Sequence, residues 1–407
     1  MSLVIQKYGG SSVANPDLIK NVATRIGRAH DAGNQIVVVV SAMGNTTDKL
    51  IEMAAQLSET PSPREMDVLL STGELTSCTL LAIALQELGY SAISLSGGQA
   101  GIQTDAVYTK ARITGLDPTR IRRELQSGNI VIVAGFQGIT ADFDVTTLGR
   151  GASDLTAVAL AVGLDAAKCE IYTDVDGIYT ADPRLVTNAT KLTEVGFEEM
   201  LELASYGAKM QPRSIELAAA YHMPLQVSSS FTENPGTLIH EGANMEVRNK
   251  VRGVAADRNV AKITVLGIPD RPGIAATLFE ALANQEISVD TIVQNASEEH
   301  IADLTFTVAR TDSQRAVRVV EPVAQDLGAR GYLSADNLAK VSIVGTGMQN
   351  TPGYAATMFR ALFESGINIE MITTSEIRIT CIIQEDQVPN AVNALHAAFE
   401  LEEETGY

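Results

Sequence analysis

The chain is poor in the residues that build metal and disulfide frameworks. Its three cysteines, Cys78, Cys169 and Cys381, are far apart and form no C-x-x-C spacing. That pattern fits reduced thiols in a cytosolic protein better than a disulfide framework or a zinc site. The five histidines, His30, His222, His240, His300 and His396, are equally scattered, so no metal cluster is expected. Positive charge is also scarce: 30 Lys and Arg stand against 49 Asp and Glu, a net charge of -19. Such a chain repels nucleic acid and anionic membrane, which leaves small molecules as partners. An anionic substrate must then be met by individually placed cations. No apolar run approaches the roughly 20 residues of a membrane span, and strand-like sequence from Leu3 leaves no room for a signal peptide, so a cytoplasmic protein is expected.

What is present is the rhythm of an α/β protein. With 407 residues, 45% of them apolar, the chain is too long for one core. Short β-branched runs (3–5, 36–40, 92–95, 130–134, 170–173, 225–228) alternate with helical patterns, which predicts a mostly parallel sheet covered on both faces. Asn15-Pro16 reads as a helix start and Gly33 as its stop. From 244 to 259 the sequence becomes polar and broken, and a domain boundary is placed there.

Beyond it the chain repeats itself. Pro272–Gln294 aligns without a gap on Pro352–Thr374, with 10 identities in 23 positions, and each copy follows a similar strand, at Ala261 and at Ala339. The density of identities marks a duplicated supersecondary unit. Each copy reads strand, Pro-Gly turn, helix, strand, strand, helix; a βαββαβ unit needs a fourth strand, yet the second copy ends in LEEETGY. The copies must therefore share or exchange strands, with Val251–Ala256 and Tyr332–Ala335 as candidates.

Four stretches carry chemistry. KYGGSSV (Lys7–Val13) ends the first strand with a lysine ahead of two glycines. It is not a Walker A loop, which places its lysine after them, and it reads equally as a phosphate cradle or a tight turn with a solvated lysine. TTLGRGASDLTA (Thr146–Ala157) sets Arg150 between glycines at a helix start, either a plain N-cap or an anion site. EIYTDVDGIYTADPR (Glu170–Arg184) leaves the end of a buried strand, where ligands of parallel sheets bind, or is an ordinary Asx-turn loop. STGE (Ser71–Glu74) puts a glycine and a carboxylate into an apolar helix, at a cost in stability unless they touch something.

In their order these stretches, with SAMGNTTD from Ser41, VAGFQG from Val133 and Gly207-Ala208-Lys209, resemble the aspartate kinase (aspartokinase) family over nearly the whole chain. The resemblance implies an amino-acid-kinase-type αβα sandwich at 1–245, a linker at 246–259, and two ferredoxin-like ACT domains at 260–337 and 338–407. It implies transfer of a phosphoryl group from ATP to the L-aspartate side-chain carboxylate. No metal site on the protein is implied, because Mg²⁺ would be carried by the nucleotide phosphates. The acceptor is already an anion, so no general base is called for, and catalysis becomes positioning plus positive charge.

By the family pattern Lys7 and Asp154 are catalytic, the carboxylate orienting the lysine. Ser41, Thr47, Glu74, Arg150, Gly151 and Ser153 bind aspartate, with Glu74 on its ammonium and Arg150 on its α-carboxylate. Lys7, Tyr8, Gly9, Gly10, Ser11, Thr173, Asp174, Tyr179, Asp182, Arg184, Lys209 and Met210 hold ATP. Asp270, Gly273, Ile274, Ala275, Gln294, Asn295, Asn368 and Ile369 take an amino-acid effector, lysine or threonine or both. On the residues alone Asp270 is equally a helix cap. The resemblance also implies a homodimer or larger homo-oligomer through the ACT domains, with or without a short ACT-only subunit. Three departures stand out: Ala152 where the family has glycine, Leu155 where threonine is common, and a segment one residue short after Lys209. A kinase of another small acid on this scaffold, or a silent amino-acid sensor, are the competing readings.

Overall fold

The computed structural model describes residues 2–205, 210–242, 251–296, 301–348 and 351–402. The chain divides into two compact units, Met1–Ile178 with Lys191–Met245, and Tyr179–Thr190 with Glu246–Tyr407.

The first unit is built on twelve strands: β1 (Leu3–Tyr8), β2 (Gln35–Val40), β3 (Ala92–Leu95), β4 (Ile102–Thr104), β5 (Ile113–Leu116), β6 (Ile130–Ala134), β7 (Gln137–Ile139), β8 (Val145–Thr147), β9 (Lys168–Thr173), β10 (Glu194–Gly196), β11 (Leu225–Ser229) and β12 (Thr237–His240). Its helices are α1 (Pro16–Asp31), α2 (Thr46–Ala55), α3 (Pro63–Glu87), α4 (Thr119–Gln126), α5 (Ser153–Gly163), α6 (Phe197–Ser205) and α7 (Pro212–Ala220). Eight strands form one sheet in the order β10-β12-β11-β9-β1-β2-β6-β3, all pairs parallel except β11 with β12. The β-branched runs occupy its centre because both faces are covered: α1 and α3 pack on the face of Val38, Val40 and Ile132, and α5 crosses β1, β2 and β9 on the other. The Asn15 side chain accepts from Leu18 N–H (3.0 Å), and Gly33 ends α1 at φ 88°.

A second sheet, β5-β4-β7-β8, was not signalled by the sequence. Its strands are three or four residues long, too short for alternation to show. The apolar-run expectation also needs correcting. Helix α3 has 25 residues with a mean hydropathy of 1.7 over its most apolar 18, long and apolar enough to cross a membrane by length and composition. Half of that window is buried, and the inward face carries Asp67, Ser71, Glu74 and Ser77 beside Leu81 and Leu85. The apolarity belongs to a core helix.

The second unit has strands β13 (Gly253–Pro269), β14 (Val289–Ala296), β15 (Ile301–Val308), β16 (Gly331–Val344), β17 (Met371–Thr374) and β18 (Arg378–Gln384). Its helices are α8 (Ile274–Ala283), α9 (Ser313–Asp326), α10 (Tyr354–Glu364) and α11 (Val388–Ala398). All six strands make one sheet, β14-β15-β13-β16-β18-β17. Strands β13 and β16 are long because each serves both repeats. Gly253–Asp257 pairs with Lys340–Val344 and closes the second copy, while Tyr332–Ala335 pairs with Lys262–Val265 and closes the first. Register shifts at Asp257/Val260 and Val260/Lys262 mark the passage between halves. The 246–259 linker is therefore corrected: from Gly253 onward it is strand, with Val254 and Ala255 buried. Two reciprocal ion pairs bind the copies, Lys262 to Glu370 (2.7 Å) and Lys340 to Asp290.

The stretch Tyr179–Thr190 interrupts the expected 1–245 domain and packs in this second unit. Ala181 and Val186 enter its core beside Leu395 and Ile343, Thr180 O accepts from Val254 N–H (2.7 Å), and Asn393 Nδ2 donates to Leu185 O (2.9 Å).

Candidate active site

In the first unit four stretches meet at the carboxyl ends of β1, β2 and β9, and the hub is the loop Ser41–Asp48 after β2. Strand β1 delivers Lys7, only 8% exposed, and its Nζ lies 2.6 Å from Asp154 Oδ1 in the first turn of α5. A buried ammonium is costly without a counter-charge, and Asp154 supplies it. The contact is off-axis for a hydrogen bond, so Asp154 Oδ1 has no well-aligned donor. Beyond Lys7 the chain presses on its neighbours. Gly9 N–H donates to Tyr172 O (3.1 Å) and Gly44 N–H to Gly10 O (3.0 Å), and a Cβ on Gly10 would stand 2.7 Å from Ala42 O. Glycine at 10 is thus a requirement of close approach, not of turning.

Helix α3 meets the same loop. A Cβ on Gly73 would sit 2.9 Å from Ala42 Cβ, and Glu74 Oε1 accepts from Ala42 N–H (3.1 Å). Ser77 Oγ donates to Ser41 O (2.7 Å). Both oddities of STGE are contacts with this loop. Glu74 Oε2 is buried without a partner, and burial pushes the carboxyl up to about 7 against the pull of the Ala42 N–H.

Arg150 reaches the loop from the other side, with Nη2 2.9 Å from Asp48 Oδ1 of α2. Its side chain is 86% exposed, and Gly149 and Gly151 flank it at φ 94° and 79°, a left-handed conformation that favours glycine. Ala152 has φ -76°, so the departure from glycine there is free of strain. Leu155 is buried among Leu70, Phe136 and Leu148, filling core space. Ser153, at the start of α5, is buried, while Thr47 is half-buried in α2.

Some of the expected nucleotide set belongs to the first unit and some to the second. Thr173 ends β9, its hydroxyl donating to Asp174 Oδ1 (3.1 Å) and its carbonyl accepting from Ser230 N–H (2.9 Å). Tyr8 is fully buried with its ring stacked on Tyr172, so its side chain is core. Ser11 is exposed, whereas Ser12, a hydroxyl of the KYGGSSV cradle that the family-derived ATP set leaves out, is 1% exposed with an unpartnered hydroxyl. No local signal separates two adjacent serines. Tyr179, Asp182 and Arg184 lie in the segment of the second unit, where Arg184 Nη2 donates to Asp182 Oδ2 (2.6 Å). Met210 is buried, and Lys209 lies outside the described residues. Among the described residues no three His, Cys, Asp or Glu side chains gather to hold a metal.

In the second unit Gln294 Nε2 approaches Asp270 Oδ1 (3.4 Å). Helix α8 is capped by Gly273 at φ 97° with no side-chain cap, so Asp270 is not its cap. Ile274 is buried behind Gly273, Ala275 and Ile369 are half-buried, and Asn295 and Asn368 are exposed.

Comparison with known proteins bears on both units. Residues 2–229 match the amino acid kinase family, and 263–322 and 341–399 each match the ACT domain. The chain is 50% identical to an aspartokinase of Mycolicibacterium smegmatis, over 98% of this chain and 97% of that one. It superposes on E. coli aspartokinase III in complex with aspartate and ADP with a TM-score of 0.82, at 26% identity, covering 98% and 100% of the two chains. The same enzyme in complex with lysine and aspartate gives 0.73, at 26% identity over 98% and 99%. With the kinase signature over its first unit, the duplicated ACT signature over its second, and full-length likeness joining them, the chain belongs to the aspartokinases, kinases that phosphorylate the carboxyl group of aspartate.

Proposed function

We propose that the first unit transfers the γ-phosphoryl group of ATP to the side-chain carboxylate of L-aspartate, giving 4-phospho-L-aspartate and ADP. One observation carries the assignment of roles: Glu74 and Arg150 grip opposite ends of the Ser41–Asp48 loop, one a buried carboxylate with a free oxygen, the other an exposed guanidinium. That pair of charges suits a zwitterion. Glu74 Oε2 takes the ammonium group, and the Arg150 fork exchanges Asp48 for the α-carboxylate, bidentate where the present contact is single. Ser41, Thr47 and Ser153 complete the pocket.

Lys7 then stands where the two anions must meet. A carboxylate oxygen of aspartate attacks the γ-phosphorus, the bond to the β,γ-bridging oxygen breaks, and the electron pair leaves with ADP. No proton need move. Lys7 offsets the charge gathering on the phosphoryl oxygens, held in place by Asp154. Gly9 and Gly10 let phosphate approach the backbone, Ser11 and Ser12 offer hydroxyls, and Thr173, Asp174, Met210 and Lys209 hold the nucleotide. Tyr8 is set aside because its side chain is core. The donor chemistry fits a Mg²⁺ ion that travels with the nucleotide: Asp154 offers one hard oxygen beside Lys7, and phosphate oxygens and water would supply the rest. When bound, the ion neutralises phosphate charge.

The ACT unit takes an amino-acid effector, lysine or threonine or both, near Asp270, Gly273, Gln294 and Asn368, and the enzyme works in the cytoplasm as a homo-oligomer. E. coli aspartokinase III, solved with lysine, supports this reading. The test is initial-rate ADP release with ATP and aspartate, with and without lysine, threonine and both. Aspartate-dependent turnover without response to glutamate is expected, with inhibition by at least one effector condition. Equal turnover of glutamate would sink the substrate assignment, and indifference to every effector would sink the regulatory one.

A further inference from the structure

An arginine between two glycines in left-handed conformations has no rigidity of its own, yet a guanidinium fork works only if held within roughly half an ångström. Something outside the Gly149–Gly151 loop must fix its root, Thr147-Leu148. Two charged side chains do so from opposite sides. Asp67 is completely buried in α3, two turns before Glu74 on the same face. Its Oδ2 accepts from Thr147 N–H (2.9 Å) and its Oδ1 from the Thr147 hydroxyl (2.6 Å), while both oxygens accept from Thr109 N–H (3.0 and 2.9 Å). Arg213 of α7 donates through Nη1 to Leu148 O (2.7 Å) and through Nη2 to Ala111 O (3.1 Å). Ala111 N–H in turn donates to Thr147 O (2.9 Å), so the 109–111 and 147–148 segments are tied to each other and gripped by both charges.

Among the described residues neither Asp67 nor Arg213 forms an ion pair, although Glu216 and Asp105 lie near enough to attract Arg213, and a buried carboxylate without a counter-ion is costly unless its acceptor sites are filled. Every group facing Asp67 is a donor. An asparagine there would lose the charge and set its NH₂ against the Thr109 N–H, and could keep the Thr147 hydroxyl only by turning it round to accept, which loosens the grip on both threonines. Thr109 is itself held at φ 70°, a conformation unusual for threonine. Resting on the reading of Arg150 as the fork for the aspartate α-carboxylate, we infer that Asp67 and Arg213 are positioning residues that hold the root of the Arg150 loop and thereby set affinity for the amino-acid substrate. Thus α3 serves aspartate twice, directly through Glu74 and indirectly through Asp67.

The test separates positioning from mere stability by steady-state kinetics on the full chain. Asp67→Asn should raise the aspartate KM about tenfold while leaving the ATP KM within about twofold. Because Asp67 acts through Arg150, the same substitution in an Arg150→Lys background should add less than about twofold. Should Asp67→Asn fail to fold, Thr147→Val removes one hydroxyl and should raise the aspartate KM about threefold, with Thr147→Ser restoring it. Arg213→Lys, unable to span two carbonyls, should follow Asp67→Asn. A normal aspartate KM in Arg150→Lys would overturn the reading of Arg150 and this inference together. A raised KM in Arg150→Lys with unchanged values in Asp67→Asn and Thr147→Val, or an effect of Asp67→Asn undiminished in the Arg150→Lys background, would overturn the inference alone.

Discussion

The Glu74 carboxyl makes substrate affinity a function of pH. In the empty pocket burial lifts it from 4.5 to about 7, and at 1.36 kcal/mol per pKa step, holding the charge there costs roughly 3 kcal/mol. The ionised form is the one that pairs with an ammonium group. At pH 6 only about one molecule in eleven carries it, so the aspartate KM there should be about tenfold above its plateau at pH 8 and higher, rising about a decade for each further pH step down. The sign for folding is opposite. A carboxyl whose folded value is raised stabilises the fold at acid pH and gives that contribution up as pH rises, so the ligand-free protein should lose about 3 kcal/mol between pH 4.5 and 7. Aspartate returns that loss by supplying the cation. The assay is the aspartate KM at saturating ATP from pH 5.5 to 8.5, for the native chain and for Glu74→Gln, with thermal melts of both. The Glu74→Gln variant should bind aspartate weakly at every pH, without the slope, and should melt higher than the native protein at pH 8 but not at acid pH. A flat native profile, or a slope that persists in Glu74→Gln, would refute the reasoning.

Lys7→Ala should lower kcat by about 10²- to 10³-fold, roughly 3 to 4 kcal/mol, as for loss of one preorganised electrostatic group; near-normal turnover would remove Lys7 from the chemistry. The same change strands Asp154 as a buried charge, so the melting temperature should fall and be partly recovered by Asp154→Asn in the Lys7→Ala background. In the second unit, Val254→Asp puts a charge on the strand that closes the second repeat, at a position 3% exposed. Hydrogen exchange should then show β14 and β15 losing protection together with β17 and β18, and loss confined to one repeat would contradict a single shared sheet.

How legible this was depended on the range of each contact. Lys7, Gly9 and Gly10 announced themselves because an end-of-strand lysine and two glycines are adjacent in sequence, and Glu74 because a carboxylate in an apolar helix demands a reason. Asp67 posed the same puzzle two turns earlier and went unread, since its partners are Thr109 and Thr147, whose backbone amides carry no sequence signature at separations of 42 and 80 residues. The Tyr179–Thr190 segment reads as a continuation of the nucleotide loop, and only the packing of Ala181 and Val186 into a distant core assigns it elsewhere. Strand exchange was visible because the second repeat lacks a strand of its own, an argument from counting. The linker was misjudged because Arg258 and Asn259, polar and exposed, lie inside a continuous strand.

The two long strands also set a timetable for synthesis. Gly253–Asp257 leaves the ribosome 83 to 91 positions ahead of its partners Lys340–Val344, counting from Asp257 to Lys340 and from Gly253 to Val344. At about 5 to 20 residues per second that is a wait of roughly 4 to 18 s with an apolar strand edge unpaired. A neighbouring nascent chain offers the same edge throughout that interval. The last third of the chain is therefore where crowded translation would miscarry into mixed sheets, and where slowing elongation would lengthen the exposure, not relieve it.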